Sequence, residues 1–183
     1  MSGMGVRVVE RPDGPTVHAV VESGMGPVTL IGVDEVLTGL LLPSTRERNV
    51  VAAGAYGPRT GTALRAAATQ VTEYLAGDRT EFDLDVHLVG SAFQVRVWEG
   101  LLRIPYGTTW TYGELAADIG HDPRTSSRAV GAANGANRIA VVVPCHRVIG
   151  ANGTLTGFAA GVERKRYLLD LESPPVAPEP TLL

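Results

Sequence analysis

Residues 111–136 read TYGELAADIGHDPRTSSRAVGAANGA, and this stretch decides the fold of the second half of the chain. Thr111 and Glu114 form a capping-box pattern, which predicts a short helix that ends at Gly120. A tight turn then leads into a predicted helix over 126–136 that is built largely from alanine and glycine. Two short helices joined in this way, with small residues on the second, are typical of a helix-turn-helix. Helical hairpins of other function share the layout, so the pattern alone leaves DNA binding open.

Towards the C-terminus, the segment Pro144-Cys145-His146-Arg147 carries the single cysteine of the chain. A thiol attacks as its thiolate, and an ordinary pKa of about 8.5 leaves only a few per cent ionised at pH 7. Arg147 adds positive charge, and His146 can take the thiol proton. Because neighbouring side chains in an extended segment point to opposite sides, we expect a bridging water between them. Cys145 is therefore a candidate nucleophile, and a buried structural cysteine is the alternative.

The surrounding sequence predicts the remaining elements. In the first half, short apolar runs alternate with turn signals, which indicates a small sheet, and one segment has helical spacing. The predicted strands cover 16–21, 28–33, 36–42 and 82–88, and the helix covers 63–75. In the second half, Ser91 and Gln94 begin a helix with a further capping box. A buried strand or extended segment is predicted over 139–143, a glycine-rich loop over 150–161 and a last helix over 162–172.

Composition limits the chemistry. One cysteine in 183 residues excludes an internal disulfide and a cysteine-based metal centre, and we expect neither a metal nor a cofactor. No secretory signal or apolar run of roughly 18 residues is present, so a membrane is not an expected partner. A free thiol stays reduced in the cytoplasm, which is the expected location. The formal net charge is −3, yet residues 123–162 contain four arginines and no acidic residue. This local charge favours phosphate binding, although a solvated basic loop has the same composition.

These segments together carry a family resemblance. PCHRV (144–148), RAVG (128–131) and NGAN (134–137) resemble the O6-alkylguanine-DNA alkyltransferases, also called methylated-DNA–protein-cysteine methyltransferases. The match continues through GTLTGF (153–158) and Lys165, and upstream through IPYG (104–107) and TYGELA (111–116). Roughly 80 residues fit in order, whereas the N-terminal half matches only in its general α/β plan.

The resemblance implies DNA repair by direct transfer. Family members flip an O6-alkylated guanine out of the duplex and move the alkyl group irreversibly to a cysteine, once per protein molecule. Cys145 matches this acceptor, and His146 the group that deprotonates it through a water. Glu172 matches the carboxylate that orients the histidine and favours its charged form. Tyr112 is similar to the tyrosine that rotates the nucleotide and protonates the guanine, and Asn137 to the hinge that braces the DNA-reading helix. O4-alkylthymine is a further expected substrate.

The same resemblance implies DNA contacts and a base pocket. Arg128 matches the arginine that fills the space left by the flipped base. The other implied DNA-binding residues are Tyr112, Ala129, Gly131, Ala132, Asn134 and Arg147. The implied pocket is lined by Val148, Phe158, Ala159 and Ala160, with Phe158 as an aromatic wall. Two positions depart from the family pattern. Arg138 stands where proline is common, which would loosen the turn, and Ala160 replaces a frequent glycine, which would disfavour bulky adducts.

The expected architecture has three parts. A small α/β domain, a sheet plus helix of ribonuclease H-like plan, covers residues 1–88. A mostly α domain with the helix-turn-helix and the alkyl acceptor covers 89–172, and a disordered Pro-rich tail covers 173–183. The expected partner is double-stranded DNA containing O6-alkylguanine, bound by a monomer, with cooperative assembly on DNA left open.

Two other functions remain as alternatives. A damage-sensing protein would bind alkylated DNA without transfer, but such proteins lack the acceptor that Cys145 provides. A cysteine hydrolase would need an oxyanion hole and a catalytic histidine remote in sequence, and His18, His87 and His121 stand in no suggestive context.

Overall fold

The computed structural model describes residues 5–43 and 54–173. The strands are β1 Val6–Val8, β2 Val17–Val21, β3 Val28–Val33, β4 Val36–Leu41, β5 Leu84–Val86, β6 Trp110–Thr111 and β7 Val148–Ile149. The helices are α1 Arg65–Leu75, α2 Ala92–Leu101, α3 Tyr112–Asp118, α4 Pro123–Gly135 and α5 Val162–Glu172, with a 3-10 turn over Cys145–Arg147. Of the predicted tail, Ser173 is described and the rest lies outside the described residues.

The first half is a small mixed sheet plus a helix, as the sequence predicts. Its strand order is β1-β5-β4-β3-β2, with β2, β3 and β4 antiparallel and β5 parallel to both of its neighbours. The four predicted strands correspond to β2, β3, β4 and a shorter β5, and α1 begins two residues later than predicted. Strand β1 was not predicted because it is only three residues long and Arg7 interrupts its apolar character. Arg7 pairs there with Asp85 on β5 and with Asp83, which directly precedes that strand.

Local capping residues fix the helices of the second half. Capping boxes begin α2 at Ser91 and α3 at Thr111, where the sequence places them. Helix α4 begins at Pro123, three residues before the prediction, because the Asp122 side chain accepts a hydrogen bond from the Arg124 N–H. Proline suits this first helical position because its missing N–H would have no partner there. Four residues therefore separate α3 from α4.

The segment 139–143 is not a regular strand. It forms turns, with Val141 at φ +73°, and a single bridge pairs Ile139 with Leu40 of β4. The Asn137 side chain takes the place of strand pairing: its Nδ2 donates to the Val143 carbonyl at 2.8 Å, and its Oδ1 accepts from the Ile139 N–H at 3.0 Å. The Arg138 carbonyl accepts a hydrogen bond from the Leu40 N–H at 2.8 Å, which pairs this turn with β4. The sheet is thereby connected directly to the chain that leads into Cys145.

Buried apolar side chains of both halves form one continuous cluster. It extends from Leu30 and Leu37 in the sheet through Val71 on α1 to Leu101 on α2 and Leu168 on α5. The reactive segment therefore lies where the two halves pack together. Along residues 5–43 and 54–173, no helix combines the length and the apolar character needed to cross a membrane.

Candidate active site

The thiol of Cys145 lies in a 3-10 turn directly after Pro144 and is 5% exposed. Burial raises the pKa of the thiol because a charged sulfur would lose its hydration. The Asn137 side chain and the positive charge of Lys165 oppose this effect without overcoming it. The resting cysteine is therefore a neutral thiol that must lose its proton during the reaction.

The His146 ring is fully buried and joins the thiol segment to the last helix. Its Nε2 lies 2.7 Å from Oε1 of Glu172. Burial lowers the pKa of His146, and this outweighs the opposing effect of the Glu172 carboxylate. A neutral ring that donates from Nε2 keeps Nδ1 as an acceptor, and Nδ1 is buried without a protein partner. His146 is thus a neutral base whose Nδ1 has a free lone pair, and not the charged histidine inferred from the sequence.

Glu172 ends α5 and is the shared acceptor of the site. Burial alone would raise the pKa of this carboxyl group, but hydrogen bonds from His146 and Arg147 lower it to about 2. Nε of Arg147 lies 2.9 Å from Oε2 of Glu172, and its Nη2 lies 3.0 Å from Oε1. The Tyr74 hydroxyl and the Gly107 N–H, the latter at 3.1 Å from Oε2, also donate to the carboxylate. Glu172 is therefore ionised at neutral pH and held from several sides.

This geometry corrects the predicted DNA contact of Arg147. The residue is 7% exposed, and besides Glu172 its Nη1 donates to the Ile104 carbonyl at 2.6 Å. Its charge compensates a buried carboxylate, so a contact with a phosphate would break its ion pair with Glu172. For the same reason Arg147 does not supply free positive charge to the thiol.

Two residues of the site had no role assigned from the sequence: Tyr74, and Lys165, which the family resemblance matched without a role. Tyr74 lies on α1, in the half where we expected no site residue. Lys165 is fully buried, and its Nζ donates to the carbonyls of Val148 and Thr156, the latter at 3.0 Å. Burial lowers the pKa of Lys165. Its spacing from Leu168 and Glu172 places the three residues on one helix face, which is a sequence signal for its part in the site.

A cavity of about 50 Å³ adjoins Cys145. Phe158, Ala159 and Ala160 line one side, and residues 40–42 at the end of β4 line another. Val148, predicted to line the pocket, is buried in the β6–β7 pair opposite Trp110 and is absent from this lining. No sequence signal marks residues 40–42 as part of the pocket, because their place in its wall depends on how the two halves pack.

Tyr112 is fitted closely between two glycines. Its hydroxyl donates to the Thr156 carbonyl at 3.0 Å. A Cβ at Gly157, where φ is +69°, would lie 2.9 Å from this hydroxyl, and a Cβ at Gly131 would lie 3.6 Å from the ring. Burial raises the pKa of Tyr112, so the hydroxyl retains the proton that a donor needs.

Helix α4 has one exposed face and one buried face. Arg128, Ala129 and Ala132 are exposed, so a small-residue surface with an arginine faces outwards. On the other side, the Ala133 carbonyl accepts a hydrogen bond from Trp98 at 2.8 Å. Asn134, predicted to contact DNA, is 1% exposed and its Nδ2 donates to the Cys145 carbonyl at 3.3 Å. It connects α4 to the reactive segment instead.

No group of three or more His, Cys, Asp or Glu side chains that could hold a metal ion occurs within residues 5–43 and 54–173. The chemistry that the site can support by itself is proton removal from a buried thiol next to a small cavity.

Comparisons with known proteins agree on one family. A model described as the DNA-binding domain of 6-O-methylguanine DNA methyltransferase matches residues 92–174. The methylated-DNA–protein-cysteine methyltransferase of Mycobacterium bovis is 49% identical over 156 residues, covering 85% of this chain and 91% of that protein. A crystal structure of the Mycobacterium tuberculosis O6-methylguanine methyltransferase has a TM-score of 0.78 at 44% identity, covering 88% of this chain and 96% of that one. The crystal structure of Mycobacterium tuberculosis OGT in complex with DNA has a TM-score of 0.77 at 46% identity, covering 85% and 92%.

Proposed function

The chain belongs to the methylated-DNA–protein-cysteine methyltransferases, and from this premise we propose that it repairs O6-alkylguanine, and O4-alkylthymine, in DNA by irreversible transfer of the alkyl group to Cys145. The observation that carries the proposal is the buried Cys145 thiol beside a small cavity, in a segment that also holds a neutral histidine with an unpaired Nδ1. A damage sensor that lacks transfer has no use for this acceptor. The thiol stays reduced in the cytoplasm, which is the compartment we propose.

The proposed reaction exchanges one bond for another. The sulfur of Cys145 attacks the alkyl carbon, a C–S bond forms and the C–O6 bond breaks. The thiol proton passes through a water to Nδ1 of His146, while the Tyr112 hydroxyl supplies a proton to the departing guanine. Glu172 holds His146 in the tautomer that leaves Nδ1 free to accept. Asn137 braces the turn before Cys145, and Phe158, Ala159 and Ala160 enclose the alkyl group.

We further propose that α3 and α4 act as a helix-turn-helix with α4 towards the DNA. The exposed Ala129 and Ala132, with Gly131 beside them, allow the helix backbone to approach the minor groove closely. Arg128 then occupies the space left by the flipped nucleotide. The proposed domains are a ribonuclease H-like α/β domain over residues 1–88 and the DNA-binding, alkyl-accepting domain over 89–172.

Transfer of label from DNA to protein tests the function. A molar excess of a duplex with one O6-[³H-methyl]guanine is incubated with the protein, and the label on protein and on DNA is counted. We expect at most one methyl group per chain and none on Cys145→Ser, which should still bind the duplex. Several methyl groups removed per protein molecule, or label on Cys145→Ser, would overturn the proposal.

A further inference from the structure

The Tyr74 hydroxyl reaches the reactive centre from the N-terminal half. Tyr74 is on the buried face of α1 and is completely inaccessible to solvent. Its hydroxyl donates to Oε1 of Glu172, the same oxygen that accepts from Nε2 of His146 at 2.7 Å and from Nη2 of Arg147 at 3.0 Å. The hydroxyl oxygen lies 3.5 Å from Nε2 of His146. A residue 72 positions before the histidine therefore shares its hydrogen-bond acceptor.

Sharing one oxygen has an electrostatic consequence. A carboxylate oxygen offers two lone pairs, so donors that converge on it compete for the same negative charge. Each added donor weakens the pull of Glu172 on a proton at His146. The charged groups that act on His146 are Glu172 and Lys165 from α5 and Arg147 from its own turn. Arg147 and Lys165 disfavour a charged ring, and Glu172 is the one of the three that favours it.

We infer that Tyr74 is a positioning residue for alkyl transfer: its hydroxyl holds and partly neutralises Oε1 of Glu172, so that His146 stays neutral and keeps Nδ1 free for the thiol proton. This inference rests on the proposed function. Burial and the nearby Glu172 charge raise the pKa of Tyr74, so the hydroxyl stays protonated and acts as a donor. The N-terminal half thus contributes directly to the protonation state of the base.

The ring and the hydroxyl of Tyr74 have separable roles. The ring packs in an aromatic cluster, with its centroid 5.0 Å from that of Phe82 and 6.0 Å from that of Tyr106. A phenylalanine at position 74 would keep these contacts and lose one hydrogen bond. Tyr106 provides a matched control, because its hydroxyl donates to the Leu171 carbonyl at 3.1 Å and has no hydrogen bond to Glu172. Its ring also faces Arg147, and Tyr106→Phe would keep that contact.

The test compares wild type, Tyr74→Phe and Tyr106→Phe by two readouts. The first is an NMR titration of the His146 ring in the unreacted protein. The second is the single-turnover rate of methyl transfer between pH 5 and 9. For Tyr74→Phe we expect the His146 pKa to rise by about one unit, which is about tenfold in its protonation equilibrium. The acid limb of the pH–rate profile should shift to higher pH by the same amount, while the transfer rate at high pH stays unchanged. Tyr106→Phe should move neither.

The results of these measurements distinguish a failure of the inference from a failure of the proposed function. If the His146 pKa and the acid limb of the rate profile are unchanged in Tyr74→Phe, the proposed role of Tyr74 is overturned. The same holds if both quantities change equally in Tyr74→Phe and Tyr106→Phe. If wild type transfers no methyl group, the proposed function fails, and the NMR titration still tests the effect of the hydroxyl on His146. Should Tyr74→Phe not fold, fluorinated tyrosine at position 74 replaces it. As a stronger donor to Glu172 it should lower the His146 pKa, and a rise or no change would reject the inference.

Discussion

Replacing Glu172 by glutamine tests the network on which the site depends. Glu172→Gln keeps the size of the side chain and removes its charge. Arg147, which is buried, would lose its ionic partner. The new amide nitrogen is also a donor, and it would face donors from His146, Tyr74 or Gly107. We therefore expect a loss of stability as well as of activity.

The structure gives the magnitude of the loss. Hydrogen bonds and charge lower the pKa of Glu172 from 4.5 to about 2 in the folded protein. Each pKa unit corresponds to about 1.4 kcal/mol, so the ionised form stabilises the fold by about 3 kcal/mol. Breaking a buried ion pair costs a similar amount, about 3–5 kcal/mol. Because the folded pKa is the lower one, this stability is present above pH 4.5 and disappears as the pH falls towards 2.

Urea unfolding at pH 7 measures the effect, with Glu163→Gln as the matched control. Glu163 is an exposed residue in the first turn of the same helix, where a charge contributes about 1 kcal/mol or less. We expect Glu172→Gln to lower the free energy of unfolding by about 3 kcal/mol and the transfer rate about 10²–10⁴-fold. The difference in stability from wild type should narrow below pH 4.5. Equal unfolding midpoints for the two variants would refute the argument that the buried carboxylate stabilises the fold.

Two further predictions concern DNA and the pocket. In single-turnover assays, Arg128→Ala should slow repair of duplex DNA strongly yet leave the reaction with free O6-methylguanine base nearly unchanged, because the free base needs no flipping. Equal slowing of both reactions would indicate that Arg128 has a folding or pocket role. Ala160→Gly should speed transfer from O6-benzylguanine relative to O6-methylguanine about tenfold, because Ala160 lines a cavity of only about 50 Å³. An unchanged ratio of the two rates would show that Ala160 does not limit adduct size.

Local sequence signals predicted most of the helices and strands. The differences between predicted and observed elements arise mainly from contacts with other parts of the chain. The capping boxes at Ser91 and Thr111 act within four residues, so the sequence reveals them directly. The start of α4 was also encoded locally, in Asp122 and Pro123, but these residues equally suit a turn. Segment 139–143 has the composition of a strand, and it is a turn because the Asn137 side chain takes its backbone partners.

The candidate site shows the same division. The sequence motif brought Cys145 and His146 to attention, and the resemblance added Glu172. The sequence could not reveal that Arg147 points inwards, because the burial of an arginine depends on whether a carboxylate from elsewhere in the chain lies beside it. Tyr74 was missed for a similar reason: its partner is 98 residues away. The charge of His146 was inferred wrongly because burial, which lowers its pKa, cannot be read from neighbouring residues.

The carboxylate that orients the base is the last residue of the last described helix. Helix ends are ordinarily the first parts of a protein to fray. Here the Gly107 N–H donates to Oε2 of Glu172 at 3.1 Å, so the loop after α2 holds the final turn of α5. Local opening of this one turn would separate Glu172 from His146 while the sheet and the other helices remained folded. Reactivity therefore depends on the local stability of a helix terminus as well as on the stability of the whole fold.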